Sequence, residues 1–74
     1  MKVIKFDYSK LKGRIVEKCG NSAGFARAMV MKPGSVSSRL RNGTPWNDQD
    51  IARACEVLQI DPGEIPAYFF APKF

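Results

Sequence analysis

The chain has 74 residues, of which 45% are hydrophobic and 26% charged, and its formal net charge is +5. This size fits one domain, residues 1–74, and the composition excludes a disordered, low-complexity or collagen-like chain. Because no apolar run approaches the ~20 residues of a membrane helix and no signal-peptide pattern is present, we expect a cytoplasmic protein that does not bind a membrane.

Caps and apolar spacing predict a first helix between Asp7 and Gly20. The Asp7 carboxylate can accept hydrogen bonds from free backbone amides, which predicts that this residue is the N-cap. Leu11 and Ile15 lie four residues apart and form one apolar stripe. Gly20 is expected to end the helix because it adopts the left-handed conformation without Cβ strain. Residues 1–6 are expected to form an N-terminal arm, either extended or a short strand.

The next two helices are predicted on either side of a proline. Asn21 and Ser22 are both competent N-caps for the second helix. Pro33 fits the first position of the third helix, and it ends the second helix because the residue before a proline avoids the α region. The third helix is expected to end at Asn42 and Gly43.

A fourth helix and a short final turn complete the predicted elements. Asn47 is the expected N-cap of the fourth helix. Asp61 is expected to cap the final turn, and Glu64 would complete a capping box. Pro66 is expected to prevent a long continuation, which leaves residues 66–74 as an aromatic C-terminal tail.

The aromatic residues of this tail are too numerous to remain in water. They are expected either to cover the helical core or to form an interface with another chain, such as a dimer partner. The residues concerned are Tyr68, Phe69 and Phe70.

The side-chain chemistry argues against catalysis. The chain has no His, and its two cysteines, Cys19 and Cys55, lack the number and spacing of zinc ligands. Without His, a Ser–His or Cys–His nucleophile pair cannot form, and no Gly-rich phosphate loop is present. We therefore expect no enzymatic activity, no cofactor, no metal and no small-molecule substrate, and two free thiols rather than a disulfide.

Positive charge is concentrated in one part of the chain. Residues 8–47 carry a net charge of +7, whereas residues 48–74 carry −3. This asymmetry indicates one face directed at a polyanion, although a merely well-solvated surface would also explain it. The basic residues of the first stretch are Lys10, Lys12, Arg14, Lys18, Arg27, Lys32, Arg39 and Arg41.

The second and third helices fit a helix-turn-helix. If Val36 and Leu40 point inward, small polar residues and an arginine occupy the opposite face of the third helix. Such a face, within a basic segment, suits insertion into a DNA groove, and an ordinary helical corner with a solvated face is the alternative. The outward and flanking residues are Gly34, Ser35, Ser37, Ser38, Arg41 and Asn42.

Residues 21–43, NSAGFARAMVMKPGSVSSRLRNG, resemble the helix-turn-helix of the phage repressor and Cro family. The wider frame, including the ending IDPGEIPAYFFAPKF, resembles the small Cro-like regulators of Gram-positive phages and prophages. The resemblance implies an all-α, five-helix, λ-repressor-like domain and a role in the choice between lysis and lysogeny. Family members bind operators, usually as dimers, and some relatives are antirepressors that bind the partner repressor.

The resemblance also implies roles for individual residues. It places a phosphate contact at Ser22 and the start of the recognition helix at Lys32. Three places depart from the family pattern: Val30 replaces the usual turn glycine, Lys32 replaces a Ser or Thr cap, and the second helix begins Ser22-Ala23 without the Gln that often contacts DNA there. Positive φ costs a β-branched residue roughly 1–2 kcal/mol, so we expect a reshaped turn at Val30. The full predicted DNA-contacting set is Ser22, Lys32, Pro33, Gly34, Ser35, Ser37, Ser38, Arg41, Asn42 and Thr44.

Two functions follow from the sequence. The first is a sequence-specific regulator, acting as a monomer or homodimer, whose recognition helix at residues 33–42 enters the major groove of double-stranded operator DNA. The second is an antirepressor that binds a phage repressor protein through the same helices or through the aromatic residues 68–70.

Overall fold

The computed structural model describes residues 5–72. This part of the chain contains five α-helices and one short 3-10 helix. The predicted all-α, five-helix class is confirmed. Residues 1–4 of the predicted arm and residues 73–74 of the predicted tail lie outside the described residues. The helices are α1 (Ser9–Cys19), α2 (Ser22–Ala28), α3 (Pro33–Leu40), α4 (Asp48–Leu58), a 3-10 helix (Pro62–Glu64) and α5 (Ile65–Phe69).

Three of the predicted helix starts are confirmed. The Asn21 side chain accepts a hydrogen bond from the Gly24 amide at 2.7 Å, and the Asn47 side chain accepts one from the Asp50 amide at 2.8 Å. Pro33 occupies the first turn of α3. Each of these residues satisfies or removes a backbone donor that has no partner inside the helix.

One predicted cap is wrong, and a second is an N-cap in position but makes no cap bond. Tyr8 rather than Asp7 is the N-cap of α1, and the Asp7 carboxylate accepts from the backbone amide of Ser9 at 2.9 Å and from its hydroxyl at 2.6 Å. Asp61 makes no side-chain cap bond. The Asp61 carbonyl instead accepts a hydrogen bond from the Glu64 amide at 2.8 Å, which is the bond of a 3-10 turn. The Glu64 amide is therefore not available to the Asp61 side chain, as a capping box would require.

The last helix also differs from the expectation. Pro66 lies in the first turn of α5 and does not stop a helix there. A backbone N–H in the first turn would have no partner inside the helix, so a proline, which has no N–H, is compatible with the helix start. Residues 65–69 are therefore helical, and within the described chain only residues 70–72 of the predicted tail are not.

The hydrophobic core lies where all five helices meet. Its largest fully buried side chains come from every α-helix, so no helix is peripheral to it. Among the described residues, no helix is both long enough and apolar enough to cross a membrane. The seven largest fully buried side chains are Phe25, Phe69, Leu11, Ile15, Met29, Leu58 and Val36.

The turn after α2 keeps its usual backbone geometry in spite of its valine. Val30 has φ 57°, so the expectation of a reshaped turn is wrong. Its amide donates to the Arg27 carbonyl at 3.1 Å, and the Met31 amide donates to the Ala26 carbonyl at 2.8 Å. These two bonds form a Schellman motif, whose closure of the helix end offsets the strain of a left-handed β-branched residue.

Replacing Val30 by glycine should stabilise the protein. The side chain is 84% exposed, so its removal sacrifices little packing. Removing the branched Cβ relieves ~1–2 kcal/mol of backbone strain. Glycine costs ~0.5–1 kcal/mol because it loses more conformational entropy on folding, so we expect the free energy of unfolding to rise by about 0.5–1 kcal/mol. Urea denaturation would measure it, with Val30→Thr as a control that keeps the branched Cβ. A glycine variant less stable than the threonine variant would contradict the strain argument.

The two ends of the described chain meet beside the end of α3. Phe6 and Pro72 form an isolated antiparallel pair, and the Asp7 amide donates to the Ala71 carbonyl at 2.7 Å. The Asn42 side chain accepts from the Phe6 amide and donates to the Phe6 carbonyl, both at 3.0 Å. The segment before α1 is therefore held on one side by the chain after α5 and on the other by Asn42, the second residue after α3.

Candidate regulatory surface

The α2–α3 pair is the natural starting point for a functional site. Four residues, 29–32, connect the two helices. Val36 is fully buried as predicted, whereas Leu40 is only partly buried. The outer face of α3 is therefore presented to solvent, with some of Leu40 exposed at its end.

Six of the ten residues predicted to contact DNA lie exposed on or beside this surface. Of these, Arg41 is the strongest candidate for reading a base edge. Its Nε donates to the Ser37 carbonyl at 3.2 Å, which holds the guanidinium along α3. The exposed members of the predicted set are Ser22, Lys32, Pro33, Gly34, Ser37 and Arg41.

Three other members have their polar groups engaged inside the protein. The Ser38 and Thr44 hydroxyls lie 2.7 Å apart and hydrogen bond to each other. The Asn42 amide group is used by both bonds to Phe6. These side chains organise the chain after α3, so using them to contact DNA would require breaking bonds that hold the fold together.

Two of the arginines in the basic segment also have structural roles. Arg39 forms a largely buried ion pair with Asp50 at 3.0 Å. It also donates to the backbone carbonyl of Ser35 at 3.1 Å, and Ser35 is the last of the ten residues predicted to contact DNA. Arg14 donates to the carbonyls of Leu58 and Gln59, each at 2.9 Å, and so caps the end of α4. Their positive charges are directed at the protein rather than at a polyanion.

The remaining basic residues define the electrostatic character of the surface. Lys10 lies over the Tyr68 ring at 4.7 Å, and Lys18 donates to the Gln59 side chain at 2.9 Å. Within residues 5–72, the other four cations of the basic segment form no ion pair with a carboxylate. These exposed cations are Lys12, Arg27, Lys32 and Arg41.

An apolar groove, here called the α1–α3 groove, is lined by one of these exposed cations, Lys12. Val16 projects into it from α1 and is 60% exposed. Sequence reasoning missed Val16 because it falls beside the Leu11–Ile15 stripe; an aliphatic residue outside the core stripe of a basic helix was the available signal. The lining residues are Lys12, Ile15, Val16, Ser22 and Leu40.

A second depression continues the α1–α3 groove. It shares Lys12 and Leu40 with the groove and extends to Arg41 and to Asp7. The combined surface therefore brings aliphatic groups together with two cations and one carboxylate, a net charge of +1. This combination suits an apolar side chain flanked by negative charge.

The aromatic residues predicted for the tail divide between two environments. Tyr68 and Phe69 are buried in the core, and the Phe69 ring lies 5.2 Å from the Trp46 ring in an edge-to-face contact. Phe70 is 48% exposed and contacts Phe6 edge to face at 5.7 Å. The structure thus uses Tyr68 and Phe69 to cover the core, whereas Phe70 packs against Phe6 at the surface.

No catalytic arrangement is evident among the described residues. Burial raises the pKa of the Cys55 thiol and of the Tyr8 phenol, which keeps both groups protonated and lowers the nucleophilicity of the thiol. Cys19 and Cys55 are free. In residues 5–72, no group of three or more His, Cys, Asp or Glu could hold a metal ion.

Comparison with known proteins identifies the family. A family model described as "Protein of unknown function (DUF739)" matches residues 4–72. The chain belongs to the DUF739 family. Among curated proteins, none matches it.

A solved structure resembles this DUF739 member along most of its length. It is the solution structure of the modulator of repression (MOR) of the temperate bacteriophage TP901-1 from Lactococcus lactis. The two sequences are 45% identical, the match covers 88% of each chain, and the TM-score is 0.80. The shared region therefore includes nearly all the helices described above and is not confined to a helix-turn-helix.

Proposed function

We propose that this protein regulates a phage or prophage genetic switch by binding a repressor protein, without catalysing a reaction. The observation that carries the proposal is the 45% identity to the TP901-1 modulator of repression over 88% of both chains. At this identity and coverage, a surface that acts on a repressor can be common to both proteins. The proposal favours the antirepressor hypothesis over direct operator binding.

The polar groups of the α3 region support this preference. Strong base discrimination needs bidentate donors or acceptors, such as a free Arg or Asn side chain, on the recognition face. Here Asn42 is bonded to Phe6, which leaves Arg41, with its two Nη groups, as the one such side chain on the face. The face therefore offers few groups for direct readout and retains small side chains that allow close approach of a protein partner.

Operator binding is retained as the second candidate because four cations are exposed on one stretch of the chain. Lys12, Arg27, Lys32 and Arg41 could neutralise phosphates, since none forms an ion pair within residues 5–72. If all four did so in each protomer, the logarithm of the affinity would fall with the logarithm of salt concentration at a slope near −4.

A titration with three components separates the two candidates. Purified protein would be added to labelled operator DNA alone, to scrambled DNA, and to operator bound by the repressor of the same phage or prophage. We expect the protein alone to bind both DNAs equally and no tighter than about 10⁻⁶ M, the range of non-specific binding. We also expect it to change the operator affinity of the repressor by about 5- to 150-fold.

Two outcomes would contradict the proposal. Selective binding of the operator by the protein alone, near 10⁻⁸ M, would establish the DNA-binding candidate instead. Failure to form a complex with the repressor in analytical ultracentrifugation, with or without DNA, would remove the protein–protein candidate.

A further inference from the structure

We infer that the α1–α3 groove is the docking site for an acidic segment of the repressor partner, which places an aliphatic side chain between Val16 and Leu40 and a carboxylate beside Lys12 or Arg41. This inference rests on the proposed function. It adds the location of the contact on this protein and the chemistry of the partner segment.

The apolar part of the site comes from two helices that no other helix covers at this point. Val16 is 60% exposed although α1 otherwise has charged and small side chains on its outer face. The buried side chain of Ile15 and the partly buried side chain of Leu40 line the same groove. An incoming aliphatic group would therefore contact three aliphatic side chains and remove Val16 from water.

The charge at the edge specifies which partner fits. Lys12 lines both the groove and its continuation, where Arg41 joins it. The Asp7 carboxylate on that side already accepts from the amide and hydroxyl of Ser9. Neither cation forms an ion pair within residues 5–72, and with Asp7 included the charged residues of this depression still carry a net charge of +1, so an acidic segment would complement the depression and orient the encounter.

A protein segment fits this surface better than either alternative occupant. Protein–DNA interfaces are polar and strongly charged, so aliphatic groups in the middle of the contact would be poorly matched by phosphates and sugars. An aliphatic centre within a polar edge is instead the usual anatomy of a protein–protein interface. A second copy of this chain would bring a protein of net charge +5 against the same cations, which opposes self-association there.

The test uses exposed positions, so that variants keep the fold. Val16→Asp puts a carboxylate in the groove, and Lys12→Glu reverses the charge at its edge. Phe70→Ser is the matched control, because it removes an exposed apolar side chain that does not line the groove. Circular dichroism and urea denaturation would confirm that each variant folds, and calorimetric titration would measure binding to the purified repressor.

We expect Val16→Asp to weaken repressor binding by about 30-fold or more, as for a central interface residue. Lys12→Glu should weaken it by about tenfold and reduce its salt dependence, as expected when a charge at the edge of an interface is reversed. Phe70→Ser should bind within about threefold of the wild type, because it lies outside the proposed contact.

The possible failures are distinguishable. If the wild type forms no complex with the repressor, the proposed function itself fails and this inference fails with it. If the wild type binds but folded Val16→Asp and Lys12→Glu bind equally well, only the groove inference is overturned. Loss of binding in Phe70→Ser alone would place the contact at the aromatic residues instead. A loss of self-association or of DNA binding, with repressor binding intact, would assign the groove to a second copy or to DNA.

Discussion

Replacing Phe69 by alanine should lower the free energy of unfolding by about 3–5 kcal/mol, the usual effect of removing a buried phenyl ring. Phe69 is only 1% exposed and packs edge to face on Trp46 at 5.2 Å. A domain of this size has a total stability on the order of 4–11 kcal/mol, so the loss is a large fraction of the total and the variant should unfold at a much lower urea concentration than the wild type. Urea denaturation followed by Trp46 fluorescence would measure the change.

Phe70 provides the matched control for this prediction. It is the adjacent aromatic residue, but it is 48% exposed and its ring contact is with Phe6. We expect Phe70→Ala to cost about 1 kcal/mol, the contribution of one exposed aromatic pair. Equal losses for the two alanine variants would contradict the division of the aromatic residues between core and surface. Phe69→Leu, expected to lose less, keeps the comparison measurable if Phe69→Ala does not fold.

The second large effect is expected at Gly24 in α2. A Cβ atom at this position would lie 2.5 Å from the Cys19 carbonyl oxygen, which belongs to the backbone at the end of α1. Because two helices would have to separate, Gly24→Ala should destabilise the protein by about 1–3 kcal/mol, although alanine has the higher helix propensity. Thermal or urea denaturation would measure the difference.

Gly13 is the corresponding control within α1. A Cβ atom there would have no neighbouring heavy atom within 4 Å. Gly13→Ala should therefore gain the propensity term alone and stabilise the protein by about 0.5–1 kcal/mol. The two glycine-to-alanine variants should thus change stability in opposite directions, and changes of the same sign would show that the approach of α1 to α2 does not limit residue 24.

Local sequence was sufficient for the helix starts that one residue's own chemistry decides. The caps Asn21 and Asn47 and the first-turn Pro33 act within three or four residues, so their chemistry is sufficient to predict them. The errors arose where two local solutions compete. Asp61 has the residue type of a cap, but the 3-10 turn uses the amide that it would bind. Pro66 can equally end one helix or begin another.

The candidate surface was less predictable because distant residues decide it. Arg14 was counted among the basic residues of a polyanion-facing stretch and Asn42 among the outward residues of the third helix, yet their partners lie 44 and 36 residues away along the chain. Only the packed structure shows that these polar groups are engaged internally. Conversely, the sequence shows Val16 only as one aliphatic residue outside the core stripe of a basic helix. Its place in a groove depends on Leu40 and Ser22, which line the same groove from other helices. The predicted DNA contacts of the exposed residues stay predictions.

Asn42 shows how a residue outside the hydrophobic core can restrict which sequences adopt this fold. The position requires a backbone at φ 63° and a side chain that both accepts from and donates to Phe6. Glycine meets the first requirement but has no amide, aspartate lacks the donor, and glutamine is longer by one methylene and less tolerant of the left-handed region. A mutational scan of all nineteen alternatives at residue 42 would therefore find few that are tolerated, fewer than at many aliphatic positions where one hydrocarbon can replace another.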